Sequence, residues 1–319
     1  MPGRNSVSEE DLVDLHGKVA VVTGGNTGIG YATIQMLARK GAKVYMAARS
    51  EERALEAIKQ LQSENINDGN VHWLKLELSD PREAKRAAQE FLEKETRLDI
   101  LVNNAAKSGP FKLDEDGLLD IMVLNHISHF AFTDTLLPLM KETAKESGSD
   151  VRIVNVSSMA YNRVKAETFA TREAFNKSYG NSFSGYLDTY GHSKLANILH
   201  IKALQRRLTA ASIPITCIAL HPGAVRTAGS DGFLAANIPY LGGFLAKYIA
   251  PLVFHPWRYG AMSVAFAAAG AEVAEKRETY RGVFLVPIAA IASPSEFALD
   301  ERLQEECYET TEKIIAELS

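Results

Sequence analysis

Cysteine is nearly absent from this chain, since Cys217 and Cys307 are the only two among 319 residues. Two cysteines this far apart provide no disulfide framework and favour a reducing compartment, and the apolar run around Cys217 predicts its burial. No apolar stretch reaches the ~18 residues of a membrane-spanning helix, and the polar, acidic N-terminus does not resemble a secretory signal. We therefore expect a cytoplasmic protein without a transmembrane segment, while peripheral association with a lipid surface stays open.

The chain also lacks an excess of positive charge. Its 35 Lys and Arg residues against 39 Asp and Glu residues give a formal net charge of −4, and no basic cluster interrupts that balance. This charge argues against a nucleic-acid partner. Internal repeats and low-complexity tracts are absent too. A hydrophobic content of 46% is ordinary for a globular protein, and the length allows a sizeable core.

Short apolar runs alternate with helical segments along the chain, which predicts βαβ units and a doubly wound, Rossmann-type α/β fold. We expect about seven parallel strands with helices on both faces. Residues 1–15 are predicted as a flexible polar arm and residues 16–319 as a single domain. Strands are predicted near 19–22, 43–47, 71–76, 99–102, 151–156, 215–220 and 283–286. Helices are predicted near 29–40, 51–63, 81–95, 114–145, 188–209, 258–270 and 296–317.

A glycine-rich turn directly follows the first predicted strand, and a helical segment follows the turn. Strand, glycine turn and helix form the context in which a dinucleotide pyrophosphate meets a helix N-terminus. The spacing is Gly-x-x-x-Gly-x-Gly from Gly24. A plain tight turn between strand and helix is the alternative. The candidate cofactor-binding residues of this turn are Gly24, Asn26, Thr27, Gly28, Ile29 and Gly30.

Tyr190 and Lys194 stand four residues apart in a helical segment and so share one helix face. A free tyrosine has a pKa of about 10 and is a poor acid or base at neutral pH. A lysine cation nearby stabilises tyrosinate and lowers that pKa, so the pair predicts a tuned proton donor. The alternative is an unrelated pair on a solvated helix face.

These motifs, taken in order, resemble the short-chain dehydrogenase/reductase family from about His16 to Gly223. Within that family, the segments at 152–158 and 192–197 resemble the branch of retinol dehydrogenases, WW-domain oxidoreductases and protochlorophyllide reductases. The motifs that carry the resemblance are Thr23 to Gly30, Asn103-Asn104-Ala105-Ala106, Asn125, Ser158, Tyr190 with Lys194, and Pro222-Gly223.

The resemblance implies a catalytic set of Asn125, Ser158, Tyr190 and Lys194. Tyr190 would exchange the proton, Lys194 would also bind the nicotinamide ribose, and Ser158 would stabilise charge on the substrate oxygen. Ser158 is chosen over Ser157 because the family uses the second serine of such a pair. Asn125 would interrupt its helix and hold a water in a proton relay, although a mid-helix asparagine could instead face solvent.

Further cofactor contacts are implied along the ends of the predicted strands. Arg49 follows the second strand where an NAD-specific site would place an acidic residue, so NADP(H) is favoured over NAD(H). A solvated Arg49 with mixed cofactor use is the alternative, and Glu77 could be a plain surface residue. The resemblance places the following near the adenosine or the nicotinamide: Glu77, Leu78, Asn104, Ala105, Pro222, Gly223, Val225 and Thr227.

Metal binding is not expected. His126 and His129 have the i, i+3 spacing of metal ligands, but no third ligand is evident, so both are interpreted as packing or surface residues. His192 lies between Tyr190 and Lys194, and its different helical phase argues against a catalytic role.

Two segments, 159–187 and 224–257, are longer than a simple crossover needs and are rich in aromatic residues. Such loops at the carboxyl end of a sheet often cover a ligand. We therefore expect mobile lids over a hydrophobic or aromatic substrate. The apolar run from Leu241 to Phe254 could instead contact a lipid surface, although a lysine and a proline interrupt it.

Together these features predict an NADP(H)-dependent oxidoreductase that exchanges hydride with a carbonyl or alcohol carbon of a small molecule. The helical segments 114–145 and 188–209 could pair in a homodimer or stay solvated. The alternative is a non-catalytic NADP(H)-sensing or scaffold protein, because a fold alone does not determine function.

Overall fold

The computed structural model describes residues 7–66, 69–180, 182–225 and 255–318. Within them the strands are β1 (Val19–Thr23), β2 (Lys43–Ala48), β3 (Val71–Lys75), β4 (Ile100–Asn103), β5 (Val151–Val156), β6 (Ile215–Leu220), β7 (Phe284–Val286) and β8 (Ala290–Ala292). They form one sheet in the order β3-β2-β1-β4-β5-β6-β7-β8. Strands β1 to β7 are parallel, which confirms the doubly wound α/β fold. The prediction of seven strands missed β8, a three-residue strand that pairs antiparallel with β7.

The helices alternate with the strands as the sequence predicts. They are α1 (Gly28–Arg39), α2 (Glu51–Ser63), α3 (Pro81–Lys94), α4 (Asp120–Met122), α5 (Ser128–Thr143), α6 (Arg172–Phe175), α7 (Phe183–Ala210), α8 (Trp257–Ala269), α9 (Ala271–Glu275), α10 (Arg277–Tyr280), α11 (Glu296–Leu299) and α12 (Glu301–Glu317). A π-helical turn (Val123–Ile127) joins α4 to α5, and 3-10 turns lie at Glu9–Asp11 and Met159–Arg163.

Two apolar cores lie on opposite faces of the sheet, because successive strand side chains point in opposite directions. Val21 and Ile153 belong to the core that α3, α5, α7 and α12 cover. Val22 and Val154 belong to the core that α1, α2 and α8 cover. Both faces of the sheet are therefore buried, as a parallel sheet requires.

The predicted helix 114–145 is wrong in its first part. Asp114 Oδ1 accepts hydrogen bonds from the backbone N–H groups of Asp116 and Leu118 at 3.0 and 2.8 Å. This side chain therefore holds a turn in place of a first helical turn. The helix begins only at Asp120 and is then widened by the π-helical turn.

Two further helix boundaries differ from the prediction because polar side chains cap backbone groups. Ser182 Oγ accepts from Gly185 N at 3.0 Å, so α7 begins at Phe183 rather than at 188. Asp300 Oδ1 accepts from Arg302 N at 2.8 Å and divides the predicted helix 296–317 into α11 and α12.

Residues 1–15 are predicted as a flexible arm, but the described part of this segment, residues 7–15, is packed. Leu12 and Leu15 are buried, and Leu12 forms a β-bridge with Gly270. This segment packs against the domain because its apolar side chains enter the core beneath α8.

Segment 159–187 is packed rather than open, which differs from the predicted aromatic lid. The rings of Tyr161, Phe169 and Phe175 are buried in the core. His192 of α7 stacks on Phe169, with 4.8 Å between ring centroids. These three buried side chains therefore pack the segment against α7.

Helix α12 covers a face of α7. From the sequence, this helical segment could either stay solvated or pair between subunits. Glu306 Oε2 accepts from the Thr168 hydroxyl at 2.8 Å and from the Phe169 backbone N–H at 2.9 Å. Glu305 forms ion pairs with Arg206 and Arg207 of α7. This part of α7 is therefore covered within the chain.

The described residues contain no helix that is both long and apolar enough to cross a membrane. Most of segment 224–257, including the run from Leu241 to Phe254, lies outside the described residues. The predicted lid and the alternative lipid contact there stay predictions.

Buried neutral histidines lie between the helices of the first core. Burial lowers the pKa of His200 to about 3 and that of His192 to about 4. His200 packs against Phe130 with 4.7 Å between ring centroids. Because the unfolded chain binds protons near the ordinary pKa of about 6.5, these groups stabilise the fold fully above that pH. They destabilise it as the pH falls towards the folded-state values.

The loss of stability at acid pH should therefore depend on these buried histidines. We expect the free energy of unfolding of the wild type to fall below about pH 6.5, with each buried histidine adding up to about 1.4 kcal/mol per pH unit. In His200→Phe the free energy of unfolding should fall less steeply, by about 1.4 kcal/mol per pH unit, because unfolding then takes up one proton fewer. Urea unfolding measured from pH 4 to 8 tests this, with exposed His255→Asn as control. Identical slopes for wild type and His200→Phe would contradict it.

Candidate active site

The turn after β1 brings two backbone segments into close approach. Gly24 has φ +63°, in the left-handed region that favours glycine. A Cβ atom on Gly30 would collide with the Gly24 carbonyl oxygen and lie 2.7 Å from Asn104 Nδ2. Glycine at these positions therefore lets the first turn of α1 lie against β1, which forms a backbone cradle suited to a pyrophosphate.

The N-terminus of α1 is open to a ligand. Thr27 is its N-cap residue but makes no side-chain capping bond. Asn26, Gly28 and Ile29 are partly exposed beside it. The first N–H groups of α1 can therefore bind an anion such as a phosphate.

Asn104 and Ala105 are held against the glycine turn by one hydroxyl. Thr23 Oγ1 accepts hydrogen bonds from the backbone N–H groups of both residues at 2.9 Å. Asn104 Nδ2 in turn donates to the Thr23 carbonyl oxygen at 2.9 Å. The structure thus brings these two predicted residues together with Gly24, although β1 and β4 are far apart in the sequence.

Arg49 and Glu77 follow the neighbouring strands β2 and β3 and face each other. Arg49 Nε lies 3.6 Å from Glu77 Oε2, and the Arg49 side chain is 68% exposed. Glu77 Oε1 also accepts from Ser79 N at 2.9 Å, while Leu78 is buried. Because the pair is solvated, it is weak, and Arg49 can turn towards another anion.

Asn125 lies at the centre of the π-helical turn and is fully buried. Its Oδ1 accepts from Lys107 N at 2.8 Å, and its Nδ2 donates to the Lys107 carbonyl oxygen at 2.9 Å. Nδ2 also lies 2.9 Å from Ser193 Oγ on α7. Asn125 therefore does interrupt the helix, and it ties the loop after β4 to the helix of Tyr190.

The two serines after β5 have different environments. Ser157 is buried, and its hydroxyl donates to the Lys194 carbonyl oxygen at 2.7 Å. Ser158 is half-buried, its Oγ accepts from Ala160 N at 3.3 Å, and it lies beside Tyr190. Ser157 thus holds α7 against the sheet, and the choice of Ser158 as the catalytic serine stays a prediction.

Lys194 is buried below Tyr190, and its Nζ donates to the Val156 carbonyl oxygen at 2.8 Å. Nζ lies 5.5 Å from the centre of the Tyr190 ring. Burial lowers the pKa of Lys194 to about 7. Burial raises the pKa of Tyr190 to about 12, and the Ser158 hydrogen bond is the influence that lowers it. The pKa of Tyr190 is therefore raised rather than lowered, because the cost of burying the tyrosinate dominates.

The segment after β6 reaches the same edge of the sheet. Gly223 has φ +96°, and Pro222 and Val225 are buried. A Cβ atom on Gly260 would lie 2.9 Å from Val225 Cγ1 and 3.0 Å from the Pro222 carbonyl oxygen, so α8 packs closely on this turn. Thr227 lies outside the described residues, and its predicted cofactor contact stays a prediction.

A buried polar layer behind the site was missing from the sequence interpretation. Asn103 Nδ2 donates to Thr133 Oγ1 at 2.9 Å and to Asn155 Oδ1 at 2.8 Å. His129, interpreted as packing or surface, is 2.8 Å from Thr23 Oγ1. Its position four residues after Asn125, on the same helix face, is the signal that could have found it.

Comparison with known proteins shows the family of this chain. The family model for short chain dehydrogenases matches residues 18–170. A short-chain dehydrogenase/reductase of Armillaria gallica is 44% identical over 308 residues, covering 96% of this chain and 95% of that protein. The chain belongs to the short-chain dehydrogenase/reductase family. Family membership supports a hydride-transfer oxidoreductase with a nicotinamide cofactor, while the retinol dehydrogenase branch stays a prediction.

Two solved structures share the fold over most of their length. A protein of Mycobacterium paratuberculosis has a TM-score of 0.71 and 27% identity, with 97% of each chain covered. RhlG of Pseudomonas aeruginosa, in a complex with NADP at its active site, has a TM-score of 0.64 and 27% identity. In that comparison 86% of this chain and 95% of RhlG are covered.

Gly191 sets the distance between the helix of Tyr190 and the turn that follows Ser158. A Cβ atom there would collide with the Ala160 carbonyl oxygen. An alanine inside a helix normally stabilises it by up to about 1 kcal/mol, so a loss of stability would have to come from this collision.

Gly191→Ala should therefore lower the free energy of unfolding by roughly 1–3 kcal/mol and turnover by about 10-fold or more, because α7 must move away from Ser158. Chemical unfolding and steady-state kinetics measure the two effects. Gly109→Ala is the control, since a Cβ atom there meets open space. A Gly191→Ala variant as stable and active as the control would show that the close approach is unimportant.

Proposed function

We propose that the protein is an NADP(H)-dependent oxidoreductase that exchanges hydride with a carbonyl or alcohol substrate, using Asn125, Ser158, Tyr190 and Lys194. The observation that carries the proposal is the grouping of Tyr190 with buried Lys194, whose Nζ lies 5.5 Å from the centre of the tyrosine ring, and with Ser158 beside the tyrosine. This group lies at the carboxyl edge of the sheet, the edge that also carries the glycine turn.

When bound, the nicotinamide supplies or accepts the hydride. Tyr190 donates the proton to the carbonyl oxygen during reduction and accepts it during alcohol oxidation. Its pKa of about 12 keeps the hydroxyl protonated at neutral pH, which is the state that reduction requires. Ser158 stabilises the negative charge that develops on the substrate oxygen.

Lys194 binds the nicotinamide ribose and supplies positive charge beneath Tyr190. With its pKa near 7, the side chain is only partly charged at neutral pH. A nearby anionic ligand favours the charged form of a lysine. Its charge would then lower the pKa of Tyr190 when the proton must leave.

The cofactor residues are proposed as a continuous row along the sheet edge. The backbone of Gly24 and the open N-terminus of α1 bind the pyrophosphate. Arg49 binds the 2′-phosphate of NADP(H), and RhlG, a related fold, was solved with NADP. Glu77, Leu78, Asn104 and Ala105 contact the adenosine side, and Pro222, Gly223, Val225 and Thr227 contact the nicotinamide side.

A hydrophobic or aromatic substrate is proposed from the surface beside Tyr190. Met159 directly follows Ser158 and is 41% exposed, and Phe183 is 38% exposed. Phe183 and Tyr190 are seven residues apart on α7 and so share one face. Segment 224–257 is proposed to complete the pocket.

The cytoplasmic location and the homodimer also remain proposals. Cys217 and Cys307 are buried free thiols, as in a reducing compartment. Gel filtration with light scattering measures the oligomeric state.

A substrate screen is the direct test of the activity. NADPH absorbance would be followed with ketones, aldehydes and quinones, and NADPH binding would be titrated in parallel. We expect oxidation of NADPH with apolar carbonyl compounds. NADPH binding without oxidation of any of them would favour the sensing protein, and absence of binding would reject both.

Tyr190→Phe removes only the hydroxyl and keeps the ring. We expect kcat to fall by a factor of at least ~10³ because the proton donor is lost, while the Kd for NADPH stays within about 3-fold. Lys194→Ala should both lower kcat and raise the Kd for NADPH. Tyr186→Phe, one turn earlier on α7, is the control for loss of a tyrosine hydroxyl. Near-normal turnover by Tyr190→Phe would reject the mechanism.

Arg49→Ala should weaken binding of NADPH much more than that of NADH, by roughly 1.5–3 kcal/mol, because a hydrogen bond between charged groups is lost. Glu77→Gln should strengthen NADPH binding slightly, since it frees Arg49 from its ion pair. Fluorescence titrations of the wild type and of each variant measure the affinities for NADPH and for NADH. Equal losses for NADPH and NADH in Arg49→Ala would show that Arg49 does not bind the 2′-phosphate.

A further inference from the structure

His129 connects the glycine turn to the π-helical turn of Asn125. It lies near the start of α5 and is 2% exposed. Its Nε2 is 2.8 Å from Thr23 Oγ1, and its Nδ1 is 3.2 Å from the Asn125 carbonyl oxygen. One imidazole thus contacts residues from two parts of the site that are distant in sequence.

The hydrogen-bonding capacity of Thr23 determines which imidazole nitrogen carries the proton. Its Oγ1 already accepts from the N–H groups of Asn104 and Ala105, which occupies both lone pairs. The Thr23 hydroxyl hydrogen must therefore be donated to His129 Nε2. A carbonyl oxygen only accepts, so Nδ1 carries the hydrogen and donates it to Asn125.

This tautomer requires a neutral ring. A second proton on His129 would put two donors face to face at Thr23 and break that bond. Burial and the neighbouring Lys194 charge lower the pKa of His129 to about 3, so the ring is neutral across the physiological range.

The helix around Asn125 is irregular. In the π-helical turn the Ser128 N–H bonds to the Val123 carbonyl oxygen, five residues earlier. This wider spacing disturbs the regular pattern of carbonyl partners. His129 donates to the Asn125 carbonyl, while the Asn125 amide is bound to Lys107 and Ser193.

We propose that His129 is a positioning residue that couples the cofactor-binding turn to the catalytic helices. Its Nε2 holds the Thr23 hydroxyl, and thereby Asn104 and Ala105, in place for the cofactor. Its Nδ1 holds the π-helical turn that positions Asn125. The inference rests on the proposed function for the consequences in binding and turnover, but the tautomer can be tested without it.

The two contacts can be separated by substitution. In His129→Gln, the side-chain oxygen can reach the place of Nε2 and accept from Thr23, but no donor remains at Nδ1. In His129→Asn, the amide nitrogen takes the place of Nδ1 and donates to Asn125, but the Thr23 contact is lost. His129→Phe loses both contacts.

We expect His129→Asn to raise the Kd for NADPH about 10-fold and His129→Gln to lower kcat about 10-fold while the Kd stays within ~3-fold. His129→Phe should show both defects. His200→Phe, which replaces another buried histidine, is the control for general loss of stability and should bind NADPH like the wild type. Titrations and kinetics would use NADPH and a carbonyl substrate from the screen.

Nitrogen-15 NMR of the wild-type imidazole tests the same inference in the folded protein. We expect the Nδ1–H tautomer at neutral pH, and an Nε2–H tautomer or an imidazolium would overturn the inference. The inference would also be overturned if the His129 variants bound NADPH and turned over substrate as well as His200→Phe does. A wild type that shows the Nδ1–H tautomer but binds neither NADPH nor NADH would count against the proposed function alone.

Discussion

The parallel pairing of β1 with β4 is the constraint on which the rest of the site depends. Ala20, Val21 and Val22 pair in register with Ile100, Leu101 and Val102. Because the two strands run in the same direction, the glycine turn after β1 and the Asn104 loop after β4 meet at one edge. The single Thr23 hydroxyl then satisfies two backbone N–H groups of that loop. Arg49, Glu77 and Gly223 then follow β2, β3 and β6 at the same edge of the sheet.

Behind this edge the protein buries polar groups where apolar side chains would pack more simply. Asn103 donates hydrogen bonds to both Thr133 and Asn155, and Asn125 bonds to the Lys107 backbone. Such groups are costly to bury unless each partner is in place, so they require one arrangement of β4, β5 and α5. The same surroundings remove water from Lys194 and Tyr190. Their shifted pKa values therefore follow from burial, and a bound anion would favour the charged form of Lys194.

Most of segment 159–187 supports the site and does not form a mobile lid over it. Its buried rings and the bonds of Glu306 fix it between α7 and α12, so it acts as a support for Tyr190. Within the same segment, Met159 and Phe183 are exposed and provide apolar surface. Selection among carbonyl compounds would then depend on these two side chains and on segment 224–257.

Local sequence determined much of this protein. Each of the seven predicted strands lies within one residue of its observed bounds, because buried parallel strands are short β-branched runs whose pattern needs no distant partner. The glycine turn and the Tyr190–Lys194 spacing also follow from local geometry. The tertiary structure alone decided the π-helical turn, the burial of the aromatic rings of segment 159–187 and the role of His129. It also reversed the expected pKa shift of Tyr190. These features depend on desolvation and on hydrogen bonds between distant residues. The spacing of His129 from Asn125 is local, but its contact with Thr23, 106 residues away, is set by the tertiary structure.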